Sequence, residues 1–289
     1  MEIQRVAVIG SGVMGSGIAH VLSLAGFEVL LQDASQAQLD KALASIVRNM
    51  NQGVERGKLT VVERDCALEK IKTTTKLVEA AKVSDFVIEA IPEILDLKLQ
   101  IFRELDQHCP EHAILATNTS TMSPTELGAA TRRAHRTIAM HFFNPVHKMK
   151  LVEVIRGLDT SDETYEVTRQ LAQAMGKETV EVNEFPGFIT SRINCLVGNE
   201  AMRMLQEGVA SAADIDKAVR LGLNYPMGPL ELADLVGLDS RLRNMQYLHE
   251  KLGETYRPAP ILEKYVAAGR LGRKSGKGFY DYAPEKDRL

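Results

Sequence analysis

The sequence is sparing with cysteine, and the cysteines it has do not look paired. Cys66, Cys109 and Cys195 are an odd number at wide spacings with no C-x-x-C. Neither a disulfide framework nor a zinc site is expected from them, and no metal is expected at all; a reducing compartment fits. Charge of one sign is equally scarce, since 35 basic against 38 acidic side chains leave a formal net charge of -3. That balance draws the protein as a whole neither to nucleic acid nor to an anionic membrane, so any anion site has to be local. Long hydrophobic runs are missing too: none approaches the roughly 20 apolar residues of a membrane span. Met1 leads almost directly into Val6-Ala7-Val8-Ile9, which leaves no room for a cleavable leader. The expectation is a cytoplasmic protein with neither nucleic acid nor membrane as partner. There is no internal repeat and no low-complexity stretch.

What is present is a chain of 289 residues, 45% of them hydrophobic, long enough to bury one large core or two smaller ones. Short β-branched runs alternate with helical spacing. The runs Arg5–Ile9, Glu28–Gln32, one near Ile71, Phe86–Ala90 and Ile114–Thr117 read as strands, with helices from Met14 and over Ser35–Arg56 between them. That grammar predicts an α/β fold, a doubly wound parallel sheet of Rossmann type with helices on both faces. Thr137–Phe142 and Leu151–Ile155 extend the sheet, and Glu178–Val182 reads as its last strand. Beyond Phe188 the apolar spacing is helical throughout. A boundary is expected at Glu184-Phe185-Pro186-Gly187, giving a dinucleotide-binding domain over 1–185 and an all-helical C-terminal domain over 186–289.

Directly after the first strand stands Gly10-Ser11-Gly12-Val13-Met14-Gly15, opening a helix. Glycines let the backbone turn tightly and approach a pyrophosphate, whose charge then meets the free N–H groups and positive end of the helix. The plainer alternative is a tight strand-to-helix turn. Here, however, the motif sits in a strand–turn–helix–strand unit ending at Asp33, about 20 residues on, where a carboxylate can accept from a ribose hydroxyl. Asp33 argues for NAD over NADP, because it would repel a 2′-phosphate.

In a doubly wound sheet, ligands gather at the carboxyl ends of the strands. Two strands deposit polar groups there, one through Asn118-Thr119-Ser120 and the other through His141-Phe142-Phe143-Asn144-Pro145. Taken singly, Asn118 and Ser120 read as turn residues and His141 as a structural histidine. Glu153 changes the weighting. It is a carboxylate among aliphatic neighbours in Lys150-Leu151-Val152-Glu153-Val154-Ile155, and on a central strand its charge must be paired or its proton retained. A short connection can bring it to His141, and an imidazole held by a carboxylate is a general base for an alcohol proton. The alternative for Glu153 is the solvent side of an edge strand.

Gly10–Gly15, Asn118-Thr119-Ser120, His141–Pro145 and Lys150–Val154 together resemble the 3-hydroxyacyl-CoA dehydrogenase family, in particular its stand-alone 3-hydroxybutyryl-CoA dehydrogenases. The likeness continues in Pro186-Gly187-Phe188-Ile189, Asn224–Pro229 with Asp234 and Gly237-Leu238-Asp239, and Gly272–Tyr282. The resemblance implies that His141 takes the proton of a substrate 3-hydroxyl while hydride passes to NAD, with Glu153 orienting the imidazole and Ser120 bonding the reacting oxygen. It assigns Ala90, Glu93 and Lys98 to cofactor contacts, with Asn118 beside them; from its surroundings alone Lys98 reads as a solvated helix residue. The sequence departs from the family at Ser191, where members usually carry Asn; one short hydroxyl replaces an amide donor and acceptor, which bears on substrate preference or rate.

A coenzyme A ligand brings phosphates, and Arg48, Arg56 and Lys58 flank the end of the long helix where the family places that nucleotide; a solvated helix face explains each equally well. The cluster Arg270, Arg273, Lys274 and Lys277 is not a phosphate loop, because no G-K-[ST] triplet is present, and it reads as a loop packed on the helical domain. The helical half has wide apolar stripes, such as Leu221, Leu223, Leu230, Leu235, Val236 and Leu238, which suit a separate core or a subunit interface. The resemblance favours a homodimer through this half and an acyl chain lying between the domains. Two other readings keep the fold: a dehydrogenase of a free hydroxy acid or sugar acid, and a dinucleotide-binding protein without turnover.

Overall fold

The computed structural model describes residues 3–282. Eight strands, β1 (Arg5–Ile9), β2 (Glu28–Gln32), β3 (Ile71–Thr74), β4 (Phe86–Glu89), β5 (Ile114–Thr117), β6 (Thr137–Phe142), β7 (Leu151–Arg156) and β8 (Glu178–Asn183), form one sheet in the order β3-β2-β1-β4-β5-β6-β7-β8. β1 through β6 are parallel neighbours, whereas β6 and β7 pair antiparallel and β7 and β8 run together. The alternating grammar up to β5 pointed to a parallel sheet, which those strands form; the reversal comes among the later runs, which were expected only to extend the sheet. Parallel neighbours need a crossover of a dozen or more residues, and the 143–150 connection is too short for one.

Helices cover both faces because successive strand residues point to opposite sides and both sides are apolar. Val6 and Val8 of β1 join one core, with α1 (Val13–Leu24), α2 (Gln36–Glu55), α3 (Val61–Glu69) and α7 (Asp162–Ala174). Ala7 and Ile9 join the other, with α4 (Leu77–Val83), α5 (Leu95–His108) and α6 (Pro124–Ala129). In α2 the buried residues Leu39, Ala42, Ile46 and Met50 recur at helical spacing and form its inward stripe. α3 is set off by a capping box in which Thr60 and Glu63 satisfy each other's backbone N–H.

The chain divides into two compact units between Phe185 and Pro186. The second is built from α8 (Thr190–Gln206), α9 (Ala212–Gly222), α10 (Pro229–Val236), α11 (Leu238–Leu252) and α12 (Pro260–Ala267). They share a core that includes Cys195, Met202, Ile215, Leu230, Leu238, Met245 and Leu262. Two buried acids lash its last segment down. Asp234 accepts from the backbone N–H of Phe279 and Tyr280, both at 3.0 Å, and from the Tyr282 hydroxyl at 2.9 Å. Asp216 accepts from the Leu230 and Glu231 N–H groups at 2.8 and 2.9 Å and from the Tyr280 hydroxyl at 2.7 Å. Burial pushes the Asp234 carboxyl up, against the pull of those donors. The basic cluster is spent locally: Arg273 pairs with Glu231, Lys274 with Asp239 and Lys277 with Asp281, while the Arg270 guanidinium lies over the Tyr265 ring. Among the described residues no helix is long and apolar enough to cross a membrane.

Candidate active site

The glycine turn is built as its sequence requires. Gly10 takes φ +95°, and a Cβ there would stand 2.7 Å from the Ala90 carbonyl oxygen; a Cβ at Gly15 would collide with the Gly10 carbonyl. β1 can therefore pass into α1 hard against the end of β4 only with glycine at these places. Gly12 caps α1 without a side-chain hydrogen bond, no acidic residue stands in the first turn, and Val13 is 71% exposed. The first amides of α1 thus face an open space suited to an anion. Asp33, just past β2, accepts from the Ser11 N–H and hydroxyl, both at 2.9 Å, and from the Ser35 N–H at 3.0 Å. These bonds tie the turns after β1 and β2 together, and a carboxylate has acceptor sites left for a ribose. Residues of this kind in this arrangement fit a dinucleotide.

Three strands along the sheet from β1, His141 of β6 pairs directly with Glu153 of β7 in the antiparallel register. His141 Nδ1 lies 2.6 Å from Glu153 Oε2, and His141 Nε2 lies 3.1 Å from Ser120 Oγ. Glu153 is fully buried and His141 nearly so. β7 is not an edge strand, because β8 flanks it, so the edge-strand alternative for Glu153 falls away. An ionised carboxylate only accepts; it holds the proton on Nδ1 and leaves Nε2 as the acceptor, facing Ser120.

A second buried network lies at the end of β4. Glu89 and Lys98 are both enclosed, at 0% exposure, and their Oε1 and Nζ are 2.7 Å apart. Lys98 Nζ also reaches Glu93 Oε2 at 3.1 Å. Glu89 further accepts from the Thr117 hydroxyl at 2.6 Å and the Ile91 N–H at 2.8 Å. Burial pushes the Glu89 carboxyl up; it also works against the Lys98 ammonium, where the two carboxylates outweigh it and lift the pKa. Glu93 accepts from the Thr119 hydroxyl and from the Ser120 N–H at 3.1 Å. The two networks therefore meet at Ser120.

The family model for the 3-hydroxyacyl-CoA dehydrogenase NAD binding domain matches residues 5–185, and that for the 3-hydroxyacyl-CoA dehydrogenase C-terminal domain matches 187–282. The chain belongs to the 3-hydroxyacyl-CoA dehydrogenase family. It is 48% identical to a probable 3-hydroxybutyryl-CoA dehydrogenase of Bacillus subtilis, over 98% of each chain. It is 46% identical to the 3-hydroxybutyryl-CoA dehydrogenase of Bradyrhizobium diazoefficiens, over 98% of this chain and 97% of that one. Among solved structures, the (S)-3-hydroxybutyryl-CoA dehydrogenase of Ralstonia eutropha superposes with a TM-score of 0.93 at 43% identity, covering 98% of this chain and all of that one. NAD is the cofactor of this 3-hydroxyacyl-CoA dehydrogenase.

The other expected residues of the dehydrogenase are less uniform. Asn118 does not make a local turn; its Oδ1 accepts from the Phe142 N–H at 3.0 Å and its own N–H donates to Glu89 O at 2.7 Å, tying β4, β5 and β6. Lys98 is the reverse of a solvated helix residue. It lies on the inward stripe of α5 with Phe102 and Leu105, at helical spacing, and that position was the overlooked signal. Glu89 opens the segment Glu89–Glu93 that the resemblance assigns to the cofactor side, and as a carboxylate closing the apolar run Phe86-Val87-Ile88 it is the same anomaly that marked Glu153. Arg48 is exposed within the second half of α2, and Arg56 and Lys58 are exposed just beyond its end. A cavity of about 290 Å³ lies between α2 and the glycine turn, lined by Gly12, Val13, Lys41, Asn49, Asn144 and His147 among others; Lys41 is a cation that the sequence reading passed over. Ser191 lies in the first turn of α8, in the second unit.

Behind the 143–150 connection, buried His20 of α1 stacks on His147, with ring centroids 5.4 Å apart and planes 17° apart. Burial, then the neighbouring His147 and Lys177, drive the His20 imidazole down to about 4. Lys177 donates to the carbonyls of Val146 and Met149, pinning the same connection.

Proposed function

We propose that this dehydrogenase oxidises the 3-hydroxyl of short-chain (S)-3-hydroxyacyl-CoA thioesters, such as 3-hydroxybutyryl-CoA, to the 3-keto form, and catalyses the reverse. The observation that carries this reading is the Ser120–His141–Glu153 chain, with the acid buried and the base facing a hydroxyl. Bound NAD supplies the acceptor for the hydride that leaves C3. His141 Nε2 receives the hydroxyl proton in the oxidative direction and returns it in the other. Glu153 keeps the imidazole in the required tautomer and stabilises it when it becomes an imidazolium. Ser120 Oγ holds the reacting oxygen against Nε2. Gly10, Gly12, Val13, Met14 and Gly15 would hold the pyrophosphate, Asp33 the adenosine ribose, and Ala90, Glu93, Lys98 and Asn118 the surroundings of the nicotinamide.

The first unit is then the cofactor domain and the second a substrate and dimerisation domain. Exposed Leu221 and Leu223, 70% and 67% accessible on the second unit, support a homodimer through it. The family resemblance assigns Arg48, Arg56 and Lys58 to the phosphates of coenzyme A, and Ser191 to the substrate oxygen through a water. Three free cysteines suit a reducing, cytoplasmic setting. The deciding assay is NADH oxidation with acetoacetyl-CoA against a panel of free 2- and 3-keto acids. Turnover confined to the thioester is the expected result, and inactivity towards every acyl-CoA would remove the assignment. Sedimentation of the purified protein tests the dimer.

A further inference from the structure

The network at the end of β4 is sealed at one end and open at the other. Glu89 and Lys98 have 0% exposure, whereas the Glu93 side chain is 29% exposed. Two carboxylates share one ammonium, so the group carries one net negative charge. Burial works against a charge on Glu89, but all three of its neighbours are donors: Oε1 receives both the Lys98 ammonium and the Ile91 N–H while Oε2 receives the Thr117 hydroxyl, so the geometry is that of a carboxylate. The charge is also fixed in place. Glu89 sits opposite Ile9 of β1 and Thr117 of β5 in the register, inside the sheet at the point where neighbouring strands depart to opposite faces.

This inference rests on the proposed chemistry. The carbon that yields the hydride carries the hydroxyl whose proton goes to His141, so the nicotinamide ring must stand beside the Ser120–His141 pair. Glu93 bonds the Ser120 N–H and is therefore its neighbour. The oxidised ring is a cation and the reduced ring is neutral, while the rest of the two nucleotides is the same. A fixed charge in the wall acts on the difference between them, whereas a change in shape acts on both alike.

We propose that Glu89, which is out of contact with any ligand, gives the nicotinamide site a standing negative charge that strengthens its hold on the oxidised cofactor relative to the reduced one. Glu89 is a positioning and charge-setting residue, acting through Lys98 and Glu93. A unit charge about 8–10 Å from a cation, at an effective dielectric constant near 20, alters an equilibrium constant by about ten- to thirtyfold. Glu153 contributes equally before and after substitution and drops out of the comparison.

The test measures Kd for NAD+ by calorimetry and for NADH by fluorescence, in wild type, Glu89→Gln and Thr117→Val. Glu89→Gln keeps the shape and removes the charge; the ratio of Kd for NAD+ to Kd for NADH should rise about tenfold while NADH affinity stays within about twofold. Thr117→Val removes a hydrogen bond without touching the charge, and its ratio should stay within about twofold of wild type. If Glu89→Gln does not fold, Glu93→Gln makes the same charge change at the open end and should move the ratio the same way. An unchanged ratio in the charge-removing variant, or an equal shift in Thr117→Val, overturns the proposal and leaves Glu89 a structural residue. Wild-type protein that binds neither nucleotide would overturn the cofactor reading itself, an outcome distinct from binding with an unmoved ratio.

Discussion

His141 and Glu153 face each other across the β6–β7 ladder, with Nδ1 and Oε2 2.6 Å apart. Because β7 runs antiparallel to β6, the pair is set by strand register rather than by a flexible loop. Both side chains alternate out of rows that pack into the core, Ile138, Met140 and Phe142 on one strand and Val152 and Val154 on the other. A slip of either strand by one residue would turn its member of the pair to the opposite face, so the same packing that stabilises the sheet orients the base.

His141→Gln and Glu153→Gln should each lower kcat by about 10²- to 10⁴-fold, the usual scale of general acid–base assistance. The glycine turn and Asp33 are untouched in both, so Kd for NAD should stay within a few-fold. Steady-state kinetics with acetoacetyl-CoA, paired with nucleotide titration, reads both quantities. A kcat near wild type in either variant would strip that residue of its role.

Lys98→Met should destabilise the first unit strongly. It leaves Glu89 fully buried without its ammonium, and removing one partner of a buried ion pair costs about 3–5 kcal/mol. Urea unfolding followed by circular dichroism measures this. A loss under about 1 kcal/mol would mean that Glu89 takes up a proton at little cost and that the pair contributes little.

Gly10→Ala should damage the cofactor site and the fold together. The residue would need φ +95° and would place its methyl group against the Ala90 carbonyl, a strain of about 1–3 kcal/mol before any displacement of the turn. Nucleotide binding should weaken at least about tenfold, a change of 1.4 kcal/mol or more. Unaltered binding would show that the turn can relax without disturbing the first amides of α1.

His20 should make stability depend on pH. Its folded-state pKa is lowered from 6.5 to about 4, first by burial and then by His147 and Lys177. The unfolded chain therefore binds the proton more readily, so stability is full above about 6.5 and drains as pH falls towards 4. Between pH 7 and pH 5 the loss attributable to His20 is about 2 kcal/mol. Urea unfolding of wild type and His20→Leu at both pH values isolates it, and the variant should lose correspondingly less. Equal losses in the two proteins would place the acid sensitivity elsewhere.

Much of this molecule was legible because its signals are local. Strand and helix periodicity, the glycine turn, Asp33 at the end of the second strand and the Pro-Gly punctuation before α8 depend on residues within a turn or two of one another, so one pass along the chain finds them. Even the antiparallel β7 was there to be read, in a connection too short for a crossover. Tertiary structure decided the rest. That Lys98 points inward to Glu89, that Glu93 bridges to Ser120, and that Asn118 ties three strands depend on which strands become neighbours and in what register. Such pairings join residues 9, 27 and 24 positions apart and are chosen by burial of the whole sheet, because a charge in an apolar segment announces that it needs a partner without naming one.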